Sequence, residues 1–149
     1  MPLFIVPFLL ALDQVFKLAA IQHLSSGSKS AIPGLLDFTL VYNTGAAFGL
    51  FTGGAQWLSY ISVAVGFGIL YYLYRNPRLS RVQTVALSMI AAGAWGNAID
   101  RIGRGSVVDY IDMTTNVAPI RDFPIFNLAD MCVVIGVALL LLPQRRRKW

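Results

Sequence analysis

Charged, thiol and imidazole side chains are scarce in this 149-residue sequence. Charged residues make up 13% of the chain and apolar residues 56%, and the seven acidic residues are all Asp, because no Glu occurs. So few charges cannot cover the surface of a water-soluble globule. One Cys and one His exclude an intramolecular disulfide and give no indication of a metal site or cofactor. The composition favours a single integral-membrane domain spanning residues 1–149.

Long apolar segments account for most of the chain. A bilayer of about 30 Å needs about 20 largely apolar residues to cross it, and the segments of that kind lie at approximately 2–22, 57–74, 82–99 and 124–142. We therefore predict a mainly α-helical membrane protein with four transmembrane helices.

The basic residues indicate an orientation. Seven of the twelve lie either between Arg75 and Arg81 or at positions 145–148, next to the ends of apolar segments. This placement argues against a nucleic-acid partner. Under the positive-inside rule it puts both termini in the cytoplasm and residues 23–56 and 100–122 on the outer face. In the first of these loops, alternating side chains over 36–42 predict a strand that ends near Asn43, and hence a small extracytoplasmic sheet.

Ionisable side chains within apolar segments are costly and need an explanation. Asp13 and Lys17 are spaced i, i+4 on one helix face, where a structural ion pair is the simpler interpretation. Asp130 has only Asn127 nearby, at i−3 on the same face. We expect that face to meet a water-accessible cleft.

Asp109 is the acid that we pair with Asp130, because it lies among apolar residues typical of a buried strand. Two carboxylates close together in a low-dielectric cleft share a proton. One can then take a proton from water while the other polarises a carbonyl, as in the aspartic proteases. From spacing alone, binding of a divalent cation would explain the two acids equally well.

Two further polar groups are candidates for ligand contacts. Asn97 and Arg101 flank Asp100 at i, i+4, so both can donate hydrogen bonds to a carboxylate or a substrate carbonyl. Equally, Asn97 can satisfy helix-end carbonyls while Arg101 extends to lipid headgroups. Asn43 and Gly45 stand among small residues, which suits either a close backbone approach to a ligand or a simple turn.

Five motifs in order resemble the bacterial lipoprotein signal peptidases (signal peptidase II). Each is weak alone, but the ordered set covers nearly the whole chain. The motifs are Asp13-Gln14-x-x-Lys17, Asn43-x-Gly45-Ala46-Ala47-Phe48, Gly93-Ala94-x-Gly96-Asn97-x-x-Asp100-Arg101, Val107-Val108-Asp109-Tyr110-Ile111-Asp112 and Phe123-Pro124-x-Phe126-Asn127-x-Ala129-Asp130.

The resemblance implies an aspartyl endopeptidase of the bacterial cytoplasmic (inner) membrane. Such an enzyme removes the signal peptide from diacylglyceryl-modified prolipoproteins, cutting before the lipidated Cys, and is blocked by globomycin. The catalytic pair falls on Asp109 and Asp130. Positions that line or support the site are Asn43, Gly45, Asn97, Arg101, Asn127, Ala129, Asp13, Lys17 and Asp100.

The resemblance also implies an outer β-cradle at approximately 32–52, with a short amphipathic helix near 46–56. We expect a monomer that contacts membrane lipids and prolipoproteins, with no metal and no cofactor, and an active site toward the outer face. A small proton- or ion-coupled transporter is the main alternative, since intramembrane Asp residues also relay protons. A non-catalytic assembly subunit is another.

Overall fold

Four helices and a small sheet form the molecule. The computed structural model describes residues 2–45 and 54–143. Its elements, in chain order, are α1 (Pro2–His23), β1 (Lys29–Ile32), β2 (Leu36–Asn43), α2 (Gly54–Arg75), α3 (Arg81–Arg104), β3 (Val107–Asp112), a short 3₁₀ turn (Ile120–Asp122) and α4 (Leu128–Leu141). The fold is mainly helical, as predicted.

Three of the predicted spans form helices of sufficient length. By length and composition α1, α2 and α3 can each cross a membrane, whereas α4 is a shorter apolar helix of 14 residues. The predicted span at approximately 124–142 contains α4, which begins at Leu128. Phe126 forms a β-bridge with Ile111, and Asn127 is the N-cap of α4. That α4 crosses a membrane stays a prediction.

Helix α3 is central, because it contacts each of the other three helices. Its buried positions are occupied by Ala, Ser, Gly and one Asp, and small residues let helix axes approach closely. A Cβ at Gly93 would lie 2.3 Å from the Ala129 carbonyl oxygen of α4. Close packing of α3 on α4 therefore depends on this glycine.

The sheet is antiparallel, in the order β1-β2-β3. The predicted strand before Asn43 is confirmed as β2. β3 follows α3 and pairs with β2, placing Val41 opposite Asp109 and Asn43 opposite Val107. β1 begins at Lys29, in a stretch that reads as a polar turn in sequence. Most of the predicted amphipathic helix near 46–56 lies outside the described residues, and its last residues belong to α2.

The chain direction brings one end of every helix toward the sheet. α1 and α3 end there, whereas α2 and α4 begin there; we call this the sheet end. α3 ends at Gly105, which adopts a φ of 77° while its N–H bonds to the Arg101 carbonyl. This left-handed cap is favourable for glycine and turns the chain directly into β3. The candidate site residues from α1, α3, β3 and α4 therefore lie at one end of the molecule.

Candidate active site

Asp109 and Asp130 are brought together by one residue, Asn127. The Asn127 Nδ2 group donates to Asp109 Oδ1 at 2.6 Å, and the Asn127 backbone N–H donates to Asp130 Oδ2 at 3.2 Å. The Asn127 side-chain oxygen in turn accepts from the Asp130 backbone N–H at 2.9 Å. This reciprocal pair is the capping box of α4. The residue that starts the helix therefore also links the two acids.

Two more amides complete the contacts of these carboxylates. Asn97 Nδ2 donates to Asp130 Oδ1 at 2.7 Å, and Asn43 Nδ2 donates to Asp109 Oδ2 at 3.0 Å. The amide cluster, as we name it, consists of Asn43, Asn97, Asp109, Asn127 and Asp130. In the hydrogen bonds and ion pairs of the described residues, its two carboxylates contact neutral donors and no cation.

The environment of Asp109 disfavours its charged form. Asp109 is 2% exposed. Burial raises the pKa of its carboxyl group above the ordinary value, and the nearby charge of Asp130 raises it further, while the Asn43 and Asn127 amides act in the opposite direction. A buried carboxyl group that holds its proton more tightly is a candidate proton donor.

A second polar cluster lies beside the first and is built from ion pairs. Lys17 Nζ lies 3.0 Å from Asp13 Oδ2 and 2.8 Å from Asp100 Oδ2, and all three side chains are nearly inaccessible to solvent. Arg104 pairs with the other oxygen of Asp100, and Gln14 Nε2 donates to both acids. We call these five residues the ion cluster.

The ion cluster also fixes the backbone around the two candidate acids. Asp100 Oδ2 accepts from the Val108 N–H at 3.1 Å, one residue before Asp109. Asp13 Oδ1 accepts from the Ala129 N–H at 3.0 Å, one residue before Asp130. The cluster thus connects α1 and α3 to the chain segments that carry the amide cluster.

One cavity adjoins the site, and a larger one lies on the same side of the molecule as the sheet. A cavity of about 270 Å³ between α2, α3 and α4 is lined by Asn97, Arg101 and apolar side chains. In the described part of the chain the Arg101 Nε is buried and has no hydrogen-bond partner. A larger groove of about 680 Å³ lies between α1, the sheet and the start of α4, and its lining includes Phe16, Ala19, Tyr110 and Met131. We call it the apolar groove.

The structure places most of the sequence-predicted residues in one connected network. Ala129 contributes only its backbone N–H, and Gly45, with a φ of 78°, donates its N–H to the Asn43 side chain at 2.9 Å. Asp122 pairs with Arg121 at the surface. Arg104 was missed, although its i, i+4 spacing from Asp100 could have indicated it. Within residues 2–45 and 54–143, no group of three or more His, Cys, Asp or Glu side chains is placed to hold a metal ion.

The chain is similar to known proteins in both fold and sequence. The fold superposes on that of a bacterial membrane enzyme solved by the in meso method, with a TM-score of 0.85, 32% identity, and coverage of 99% of this chain and 94% of the other. The chain therefore has the fold of a membrane enzyme.

Residues 5–144 match the family model described as signal peptidase (SPase) II. The lipoprotein signal peptidase of Deinococcus radiodurans is 47% identical, over 99% of this chain and 82% of the relative. That of Microcystis aeruginosa is 42% identical, over 89% of this chain and 84% of the relative. The chain belongs to the signal peptidase II family. It is a hydrolase that removes signal peptides from prolipoproteins, and the predicted resemblance is confirmed.

Proposed function

We propose that the chain is an aspartic endopeptidase whose catalytic residues are Asp109 and Asp130. The observation that carries the proposal is the contact of Asn127 with both carboxylates. One acid is ionised and takes a proton from water, which attacks the scissile carbonyl. The other is protonated and donates to the carbonyl oxygen, so that no charged oxyanion accumulates.

Supporting side chains hold this pair and the peptide. Asn43, Asn97 and Asn127 orient the carboxylates, while Gly45 allows the turn that places the Asn43 amide. Arg101 has an unused buried donor in the cavity beside Asn97, and it is suited to a carbonyl of the bound signal peptide. Asp13, Lys17, Asp100 and Ala129 support the site through the ion cluster and its backbone contacts.

The substrate, in this proposal, is a prolipoprotein whose Cys already carries diacylglycerol, and the cut lies just before that Cys. The apolar groove supports this, because its volume falls in the range of about 300–1,000 Å³ usual for ligand pockets and it is lined by apolar residues of α1, β3 and α4, the elements that carry much of the site. In this proposal the groove holds an acyl chain of the modified Cys.

The proposal includes a membrane arrangement. All four helices cross the bacterial inner membrane as one domain, with both termini in the cytoplasm and the sheet end outside. Large apolar side chains exposed along α1, α2 and α4, such as Phe8, Phe67 and Val134, would face lipid. The enzyme works as a monomer on prolipoproteins in the bilayer and is inhibited by globomycin.

A cleavage assay tests the proposal. Purified enzyme is incubated with a diacylglyceryl-modified prolipoprotein and, in parallel, with the unmodified form, each with and without EDTA. We expect cleavage of the lipidated form alone, unaffected by EDTA. Equal cleavage of both forms would contradict the lipid requirement, and loss of activity with EDTA would contradict the aspartic mechanism.

Variants in the apolar groove test the position of the lipid. Ala19→Trp fills the groove, whereas Ala11→Trp adds the same bulk at an exposed position of α1 outside it. We expect the first variant to raise the KM for lipidated substrate about tenfold, the equivalent of about 1.4 kcal/mol of lost binding, and the second to leave it unchanged. Equal KM values would place the acyl chains elsewhere.

A further inference from the structure

The ammonium group of Lys17 makes a contact that its ion pairs do not explain. Lys17 is 0% exposed and has three N–H donors. Two of them face Asp13 and Asp100, which already compensate its charge. The third contact is with Asn97 Oδ1 at 3.0 Å. This hydrogen bond joins the ion cluster to the amide cluster.

The orientation of the Asn97 amide follows from its neighbours. Its oxygen accepts from Lys17 Nζ and from Asn127 Nδ2, the latter at 3.1 Å. Because an ammonium group only donates, a flipped amide would set N–H against N–H and lose both bonds. The Nδ2 group is therefore directed at Asp130 Oδ1, where the distance is 2.7 Å.

The two candidate acids are consequently held in different ways. Asp130 receives an amide whose oxygen is polarised by a cation, and it occupies the first turn of α4, where the helix N-terminus favours negative charge. Asp109 receives the Asn43 and Asn127 amides, neither of which contacts a cation among the hydrogen bonds of the described chain. Burial and the charge of Asp130 raise the pKa of Asp109, whereas the Asn43 and Asn127 amides and the charge of Lys17 lower it, and the net direction is upward.

We propose that Lys17 is a positioning residue that, through Asn97, keeps Asp130 ionised and so makes Asp130 the base and Asp109 the acid. The inference rests on the proposed function. Water forms the new C–O bond while its proton passes to Asp130 and the proton of Asp109 passes to the carbonyl oxygen. When the C–N bond breaks, Asp130 returns its proton to the amine nitrogen and a hydroxyl proton returns to Asp109.

The pH dependence of activity reports this arrangement. Activity requires ionised Asp130, so the low-pH limb of kcat follows that group. Asp109 and Tyr110 of β3 interact electrostatically with Asp130, and the adjoining ion cluster contributes Asp13, Lys17, Asp100 and Arg104. Of the cations in this set, Lys17 is the one that contacts an amide bound to Asp130.

A matched pair of variants isolates Lys17. In Asp13→Asn the ammonium keeps Asp100 and Asn97, while the single amide oxygen can accept from either Ala129 or Lys17 but not from both, so this variant is itself compared with the wild type. In Asp13→Asn/Lys17→Met the ammonium is gone, and Asp100 keeps Arg104. We expect the double variant to lose about 10- to 100-fold in kcat at neutral pH relative to Asp13→Asn. Its low-pH limb should move up by about one unit, a tenfold change in ionisation, while KM changes little.

Arg104→Gln and Asn97→Ala provide the controls. Arg104 belongs to the ion cluster but does not contact Asn97 in the described structure, so Arg104→Gln should keep the low-pH limb of the wild type. Asn97→Ala removes the connection while retaining Lys17, and should shift that limb in the same direction as the double variant. It also keeps the test available if the double variant fails to fold.

Two results would overturn the inference. In one, the low-pH limb of the double variant coincides with that of Asp13→Asn, its kcat is lowered by the same factor at every pH, and its thermal stability is reduced. The other is an unshifted limb in Asn97→Ala. The proposed function is tested separately, by the EDTA and lipid controls and by the activity of Asp109→Asn and Asp130→Asn, whatever the result for Lys17.

Discussion

The ion cluster and the amide cluster are neighbours that differ in how their carboxylates are held. In the ion cluster Asp13 and Asp100 contact Lys17 directly, and Asp100 also contacts Arg104. In the amide cluster the contacts of Asp109 and Asp130 within the described chain are with neutral amide and backbone donors. Both sets of acids are largely buried, but only the acids of the ion cluster contact a cation directly.

The difference separates two uses of a buried acid. A carboxylate paired with a cation is held in its charged form and serves to lock helices and strands together. A carboxylate that faces amides can exchange a proton with water or substrate, because neither protonation state is enforced by a direct opposite charge. We therefore expect substitutions in the amide cluster to affect catalysis, and substitutions in the ion cluster other than Lys17 to affect mainly stability.

The largest effect is expected for the two proposed catalytic acids. Asp109→Asn and Asp130→Asn should each reduce cleavage by at least about 10³-fold, since each removes an acid–base group, while leaving thermal unfolding close to that of the wild type. Asp112→Asn is the matched control on β3 and should stay within about twofold of the wild type. Activity in both purified Asp109 and Asp130 variants would remove the distinction between the clusters.

The ion cluster should show the opposite behaviour. Asp100→Asn leaves Arg104 unpaired and weakens the contact with Lys17, so we expect a loss of about 3–5 kcal/mol in the free energy of unfolding, measured by denaturation in mixed micelles. The surface pair supplies the control, because Asp122→Asn should cost at most about 1 kcal/mol. A stable Asp100→Asn variant with no activity would assign Asp100 to the chemistry.

A change in helix packing should act on the amide cluster from a distance. In Gly93→Ala the new Cβ must displace the Ala129 carbonyl oxygen of α4, 2.3 Å away, and this shifts Asp130 relative to Asn97. We expect about a 10²-fold loss of kcat, as is usual for misplacement by about 1 Å. Gly103→Ala on the same helix meets nothing within 4 Å and should leave kcat unchanged. Equal rates would mean that the α3–α4 spacing does not set the geometry.

The smallest predicted effect is a shift in the pH profile. The Asn43 amide lowers the pKa of Asp109, so Asn43→Ala should raise that pKa further. Protonated Asp109 then persists to higher pH, and the high-pH limb of kcat should move up by less than about one unit. Thr44→Ala is the neighbouring control. A downward shift would show that the high-pH limb does not report Asp109.

Much of this arrangement could be predicted from sequence, because it depends on local patterns. Apolar length predicts α1, α2 and α3, alternation predicts β2, and the i, i+4 spacing predicts the pair of Asp13 with Lys17. The i, i+3 spacing of Asn127 and Asp130 also predicts that they lie close together. In the structure these two residues form the capping box of α4.

Contacts between distant segments could not be predicted in this way. The pairing of β3 with β2 depends on the register between segments separated by α2 and α3. The bonds of Asn97 to Lys17 and Asp130 depend on how α1, α3 and α4 are rotated about their axes. The start of α4 could not be placed from sequence, because residues 124–126 are as apolar as the helix, and the bridge of Phe126 to Ile111 has no local signal.

The double role of Asn127 has a consequence for the order of events during synthesis. Asp130 lies on the last helix of the described chain, and the residue that caps this helix is the one that binds Asp109. A nascent chain that ends before α4 contains Asp109 and the Asn43 amide that donates to it, but neither Asp130 nor Asn127. If Asp109 and Asp130 are the catalytic pair, as proposed, proteolytic activity arises only once α4 is in place.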